Sequence, residues 1–343
     1  MNRKLSAAII GTGQMAGGYD QAKYRGEKGV YTHAGAFQAC GKISLDLVFD
    51  SDFRKATAFA KRWHTTAAES MERIVKSYHD IVSVCTPDQT HYAIVKALLL
   101  NKSCKTLCVE KPAAETSQQH LDLMRLARKS RIHVVTNFQR HFDKTHMNLA
   151  EYLKRMPANI LAVRGLYIKG LNHNGVTMVD TLRLLLGNPR SLLATRRVLN
   201  RQVSDYSYDF VLFYPHFVAT VCTTDSNRWL YNYHVFDIDI LLKDRRISIV
   251  DNSRAKRESR LGRLGYSGVK GLNDLKPVVT RTQYLVSMKY FADYLFRIST
   301  QQQVPTQNTL ESSYVNMLIL EAVQKSYQQG LRKIHLPEFL WKK

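Results

Sequence analysis

Three short stretches of the 343-residue chain carry residue types that could do chemistry: "GTGQMAG" at 11–17, "CTPDQTH" at 85–91 and "VEKPAAET" at 109–116. In the third, Glu110 and Lys111 end an apolar run and precede Pro112. Charges in that position are costly unless they are paired or used. A partly buried lysine can have its pKa lowered, which suits proton exchange with a hydroxyl; the alternative is an ordinary Glu–Lys surface pair. In the second stretch Thr86 and Pro87 end a strand and Asp88 can cap the helix that follows. His91, one turn into that helix, faces either a site or solvent. In the first, Gly11 permits a tight turn and Gly13 lets the backbone approach a pyrophosphate, with Gln14 and Met15 next along the loop. Ala16 and Gly17 then supply small residues where a helix must pack closely. N–H groups of a helix opening after Gly13 would face the phosphates.

The elements around these stretches decide whether they can converge. "KLSAAII" (4–10), "SLDLVF" (44–49), "DIVSVCT" (80–86), "TLCVE" (106–110) and "IHVVTNF" (132–138) are short, rich in Val and Ile, and almost continuously apolar. Strands covered on both faces have this character. Helical patterns lie between them: "DFRKATAFAKRW", "QTHYAIVKALLL" and "SQQHLDLMRLARKS", the last opened by Thr116 and Ser117 as candidate caps. Strand–helix alternation predicts a parallel sheet with crossover helices, and ligands of such sheets bind at the strands' carboxyl ends. All three stretches follow strands. Asp50 ends the second strand, where a carboxylate accepts from both adenosine ribose hydroxyls and repels a 2′-phosphate, favouring NAD over NADP; Arg54 and Lys55 nearby temper that preference. The gap from the last glycine to Asp50 exceeds the usual ~20 residues. The excess is the polar, aromatic segment 18–31, which reads as an insertion near the cofactor mouth.

After about residue 150 the pattern changes. A strand (159–170) and a helix ending at Gly187 lead into several β-type runs with short turns, predicting an antiparallel sheet. Two helices near 282–298 and 309–329 follow, and the basic 254–280 segment reads as a long loop. The expected organisation is a dinucleotide-binding domain over 1–138 and an α+β domain over 139–343 for substrate and subunit contacts. Five scattered cysteines argue against a disulfide framework and for a reducing, cytoplasmic setting; Cys104 and Cys108 lack a second pair and read as buried thiols, with no metal site expected. No apolar run is long enough to span a membrane, and the basic then apolar N-terminus flows into the glycine pattern as a first strand. The net charge of +22 is spread along the chain, densest at 254–265. Without a nucleic-acid motif, a solvated basic surface is favoured over a nucleic-acid partner.

Together "GTGQMAG", Asp50, "CTPDQTH" and "VEKPAAET", in this order and strand context, resemble the glucose–fructose oxidoreductase / inositol dehydrogenase / rhizopine-catabolism (Gfo/Idh/MocA) family. The C-terminal "ESSYVNMLILEAVQKSYQQGLRKIHLP" is similar to its closing helix and strand. The resemblance implies a doubly wound parallel sheet (a Rossmann domain) followed by an α+β domain with a largely antiparallel open sheet. It implies hydride transfer between NAD and a sugar-like carbon, and assembly as a homodimer or homotetramer through one sheet face. It maps the family's lysine onto Lys111 and the preceding glutamate onto Glu110, at the nicotinamide and substrate, with the bond before Pro112 cis. It makes Asn137, Gln139 and Arg140 candidates at the exit from the first domain. The family's Asp, His, Asp series falls on His173, Thr177 and Asp180, a departure at the first two positions. Thr177 does not titrate near neutrality whereas His173 can. His173 or Lys111 would then handle the proton, with Asn174 and Thr177 bonding substrate hydroxyls. The alternative is a silent cofactor- and sugar-binding sensor of the same fold. The positive charge points to an anionic substrate, such as a nucleotide-linked sugar or sugar acid, with the basic loop meeting a diphosphate.

Overall fold

The computed structural model describes residues 3–21, 29–200, 205–224, 235–263, 269–273 and 276–341. It divides into two compact units, Met1–Asp143 with Leu285–Tyr314, and Lys144–Tyr284 with Val315–Lys343. Its helices are α1 (His33–Cys40), α2 (Phe53–Trp63), α3 (Met71–Lys76), α4 (His91–Asn101), α5 (Ser117–Ser130), α6 (Lys144–Arg155), α7 (Val176–Leu186), α8 (Ser287–Ser299) and α9 (Leu310–Gln328).

The first unit is built on β1 (Leu5–Ile10), β2 (Ile43–Phe49), β3 (Thr66–Ala67), β4 (His79–Val84), β5 (Cys104–Glu110) and β6 (His133–Asn137). They pair in the order β3-β2-β1-β4-β5-β6, all parallel. This is the doubly wound order, whose strand sequence reverses between β1 and β4. Both faces are buried: Ala8 and Ile10 of β1 pack with Val95 and Leu98 of α4, while Ala7 and Ile9 pack with Phe37 of α1 and Phe291 of α8. Apolar side chains on both faces of the strands thus find partners, which explains the nearly continuous apolarity of the sequence. Asp52 caps α2 by accepting from the Arg54 and Lys55 amides. Thr116 caps α5 by accepting from the Gln119 amide. Helix α8 packs in this unit although it follows the second sheet in the chain.

The second unit contains a mixed, largely antiparallel sheet. Its strands are β7 (Ile160–Tyr167), β8 (Ser191–Asn200), β9 (Asp205–Phe213), β10 (Val218–Thr223), β11 (Phe236–Leu242), β12 (Arg245–Val250), β13 (Ala255–Arg263), β14 (Lys270–Leu272), β15 (Val278–Arg281) and β16 (Ile334–His335). They run in the order β14-β13-β12-β11-β7-β10-β9-β8-β16, with β15 beside β13; among the described residues β7 and β10 pair parallel and the other pairs are antiparallel. Burial alternates along the strands, as with Phe236, Ile238, Ile240 and Leu242 of β11, so one face carries the core.

The basic segment corrects one expectation. Residues 255–263 form β13 and pair with β12 from Arg245↔Arg260 to Val250↔Ala255. Charge density there concealed a strand, because Glu258 accepts from Arg245 at 2.9 Å and lies 3.7 Å from Lys256. The remainder of that segment at 264–268 and 274–275, and the 22–28 part of the insertion, lie outside the described residues. No helix of the described residues is long and apolar enough to cross a membrane.

Candidate active site

The glycine stretch lies where the order of the parallel sheet reverses. Gly11 follows β1, donates to the Phe49 carbonyl at 2.7 Å, and has φ +89°. A Cβ there would stand 2.8 Å from the Cys85 carbonyl, so the β1 and β4 exits approach too closely for any side chain. A Cβ on Gly13 would meet nothing within 4 Å and would project into open space. That opening is what a pyrophosphate drawn against the backbone requires, and so the loop fits a dinucleotide. Residues 14–18 form one π turn, and the first long helix begins only at His33, beyond the insertion. The expectation of a helix opening directly after the glycines is therefore corrected to a single turn. Gly17 packs against α2: its Cβ would lie 2.4 Å from Trp63 Nε1 and 2.6 Å from Phe59 Cε2.

Asp50 stands at the end of β2, beside this loop. Its Oδ2 accepts from the Thr12 amide at 2.8 Å and the Thr12 hydroxyl at 2.7 Å, and its Oδ1 accepts from the Asp52 amide at 3.0 Å. Burial pushes the carboxyl up, but these donors and Lys55 outweigh it and hold Asp50 below the ordinary carboxylate range. The charge is fixed in direction, and each oxygen retains lone-pair capacity.

Glu110 and Lys111 leave β5, and Glu110 is in register with Asn137 of β6. Glu110 Oε1 accepts from Asn137 Nδ2 at 2.7 Å and lies 2.8 Å from His33 Nε2. Burial pushes this carboxyl up, yet His33, Asn137 and Lys111 bring it below its usual value. Burial lowers the Lys111 ammonium; Asp88 and Glu110 oppose that shift and Arg140 adds to it, leaving Lys111 below the usual lysine range. Arg140 is buried, in the short turn Gln139–Phe142 after β6. The Lys111–Pro112 peptide is cis. His91 is fully buried: Nδ1 lies 2.7 Å from the Pro112 carbonyl and Nε2 2.8 Å from the Thr86 carbonyl. It ties the two loops together from beneath, with both ring nitrogens engaged, and so does not present its ring to a cofactor as one of the sequence readings had it.

Residues 5–138 match the model of a family described as an oxidoreductase family with an NAD-binding Rossmann fold. Over that stretch, under half of the chain, the sequence is similar to the Gfo/Idh/MocA family. A D-glucoside 3-dehydrogenase of Escherichia coli (strain K12) is 30% identical over 151 residues, which is 43% of this chain and 38% of that protein's length. Two solved structures share the fold across both units. Levoglucosan dehydrogenase in complex with NADH and L-sorbose aligns with a TM-score of 0.74, 15% identity, and 97% of this chain and 99% of that one. An oxidoreductase from Agrobacterium radiobacter in complex with NAD+, L-tartaric acid and magnesium aligns with a TM-score of 0.72, 14% identity, and 97% and 98% coverage.

The remaining candidates lie in the second unit. A π turn at Gly170–Gly175 runs directly into α7, with Gly175 in right-handed helical geometry. His173, Asn174 and Thr177 are half-buried on this continuous helical path. Asn174 Nδ2 closes the turn on the Ile168 carbonyl at 2.9 Å. Asp180 is buried and accepts from Asn316 Nδ2 at 2.9 Å, which suits a brace for α7 better than a contact to substrate. Asp205 accepts from the Asn172 and His173 amides at 2.7 and 3.2 Å, and burial pushes its carboxyl up despite them.

Three residues of these arrangements escaped the sequence reading: Thr12, His33 and Asp205. Thr12 sits between the two glycines of the turn and attracts no attention by type. His33 had one available signal, its place directly after a cap-type Thr32. Asp205 is remote in sequence from the turn it holds, so spacing carries no trace of it.

Proposed function

We propose that the protein is an NAD-dependent oxidoreductase that moves hydride between the nicotinamide ring and a carbon of a sugar-like secondary alcohol or its ketone. The observation that carries this reading is Lys111: an amine with lowered pKa at the carboxyl edge of an NAD-binding sheet, flanked by a fixed carboxylate. In this reading 1–138 hold the cofactor and 139–343 serve substrate and subunit contacts, in a homodimer or homotetramer.

Gly11, Gly13, Gln14 and Met15 hold the pyrophosphate by their backbone, and Asp50 accepts from the adenosine ribose hydroxyls. Thr86, Pro87 and Glu110 line the nicotinamide end. The dinucleotide, when bound, supplies the hydride acceptor or donor. Lys111 takes the hydroxyl proton as the alcohol becomes a ketone and returns it in the reverse direction; His173 is the second candidate for that proton. Arg140, Asn174 and Thr177 orient substrate hydroxyls. Lys111 suits the role because a lysine brought below its usual range is neutral in a larger fraction near neutrality. The names of a glucoside dehydrogenase and a levoglucosan dehydrogenase among similar proteins support a carbohydrate-like substrate. The net charge of +22 favours an acidic or nucleotide-linked one.

The test is a panel of sugars, cyclitols, sugar acids and nucleotide sugars mixed with NAD+ or NADH, read at the reduced-nicotinamide absorbance. Turnover that falls about a hundredfold or more in Lys111→Ala, with NADH still bound, is the expected result. Undiminished turnover in that variant overturns the role of Lys111. Tight binding of cofactor and a sugar with no turnover across the panel replaces the enzyme by the sensor, the reading that Thr177 at the family's histidine position favours.

A further inference from the structure

We propose that His33 is a positioning residue of this site: it grips the Glu110 carboxylate by Oε1 and so leaves Oε2 open, beside Lys111, for a donor at the nicotinamide end of the dinucleotide. The inference rests on the reading above that a dinucleotide lies along this edge.

The geometry begins in the insertion. Asp20 is buried, and it accepts from the Tyr31 amide at 3.2 Å and from the Thr32 hydroxyl. Its carbonyl accepts from Arg62 at 3.0 Å. Thr32 in turn caps α1 by accepting from the Gly35 amide at 3.2 Å. The first residue of that helix, His33, is thereby fastened before its side chain is considered. Its ring is fully buried, edge-on to Phe291 at 5.7 Å and Phe37 at 6.4 Å, so it has one orientation. Nδ1 lies 3.2 Å from Ser83 Oγ and Nε2 2.8 Å from Glu110 Oε1. An ionised carboxylate only accepts, so Nε2 carries the proton that faces it.

Asn137 donates to the same oxygen. Both donors therefore act on Oε1. Among the described residues Oε2 has no hydrogen-bond partner, and it is not one of the sealed, unpartnered polar atoms of the fold. A half-satisfied carboxylate with its other oxygen accessible at a strand's carboxyl end suits a ligand donor better than a purely structural pair. The titratable groups facing Glu110 are His33, Lys111, Cys85 and Cys108, and Asp88 and Arg140 face Lys111. Of those acting on Glu110, burial raises its carboxyl and the His33 hydrogen bond is the largest opposing influence. Without His33 the carboxyl would take up a proton at higher pH, and its accepting oxygen would be lost.

NADH is titrated into the full chain, wild type, His33→Leu, His33→Gln and Glu110→Gln, from about pH 5 to about pH 8, spanning the range a buried carboxyl can enter. Wild-type affinity is expected to stay flat across this range. His33→Leu is expected to lose about tenfold as pH falls from about 7 to about 5, the worth of one bond to a charged group. His33→Gln, which keeps an N–H donor, stays within about threefold of wild type. Glu110→Gln is expected to be flat and weaker throughout. A folded His33→Leu with the wild-type profile overturns the inference. Where that variant fails to fold, His33→Asn, too short to reach Oε1, is judged by the same profile. Wild type binding no NADH at any pH overturns the dinucleotide reading itself, and the role of His33 with it.

Discussion

Replacing Asp50 by alanine tests the cofactor end of the site. Three donors from Thr12 and Asp52 pin this carboxylate at 2.7–3.0 Å, and they hold it ionised at lower pH than a free carboxyl. Two ribose hydroxyls donating to it would together contribute about 3 kcal/mol net, taking each bond to a charged group at the low end of its usual worth. Asp50→Ala should therefore raise the NADH dissociation constant roughly a hundredfold. In the proposed pose the same carboxylate would oppose a 2′-phosphate. Its half-exposed position and solvent screening reduce that repulsion to about 1–2 kcal/mol, so NADPH affinity should improve roughly tenfold in the variant. Lys55, which acts on Asp50 and whose side chain is 70% exposed, remains available to the added phosphate. The assay is fluorescence titration of both reduced cofactors, with Thr12→Val as the intermediate case because it keeps the amide donor and loses the hydroxyl. NADH affinity within threefold of wild type in Asp50→Ala, with NADPH affinity unchanged, would refute the assignment.

Gly17→Ala drives a methyl against Trp63 and Phe59 at 2.4–2.6 Å, an overpacking that should cost about 1–3 kcal/mol and lower Tm by about 2–4 °C per kcal/mol, read by calorimetry. Asp88 raises the Lys111 ammonium, so Asp88→Asn should move the rising limb of the oxidation rate to lower pH; a limb that stays put or moves up contradicts the assignment of that limb to Lys111. Asp205→Ala strands the Asn172 and His173 amides and should destabilise the chain by about 1–3 kcal/mol in urea unfolding; an unchanged midpoint would mean that water replaces the carboxylate without loss.

The parallel sheet was legible because its central strands are covered on both faces, which leaves short runs of mostly apolar residues with few polar interruptions. The three stretches that follow β1, β4 and β5 were legible for a related reason: charge, glycine and proline stand out directly after such runs. Glu110 and Lys111 are the clearest instance, since the strand's burial is what makes two adjacent charges informative. The strand at 255–263 was not legible, because its run of basic residues hides the pattern and its Glu258 is paired across the sheet by Arg245 and along the strand by Lys256. His91 was legible as a member of the motif but not in its role, because a histidine under a loop and one facing a ligand look alike in sequence. The partners of Asp50, Glu110 and the π turn were hidden for a common reason. Thr12, His33 and Asp205 lie 38, 77 and 33 positions or fewer from what they hold, distances over which no periodicity operates.

Calorimetric titration of the purified chain with NAD+ and NADH is the most direct measurement of the central claim. A dinucleotide seated at Gly13 and Asp50 predicts saturable heat with one site per chain, diminished in Asp50→Ala. Folded protein giving no heat with NAD+, NADH or their phosphorylated counterparts would contradict it, and the glycine loop would be only a turn.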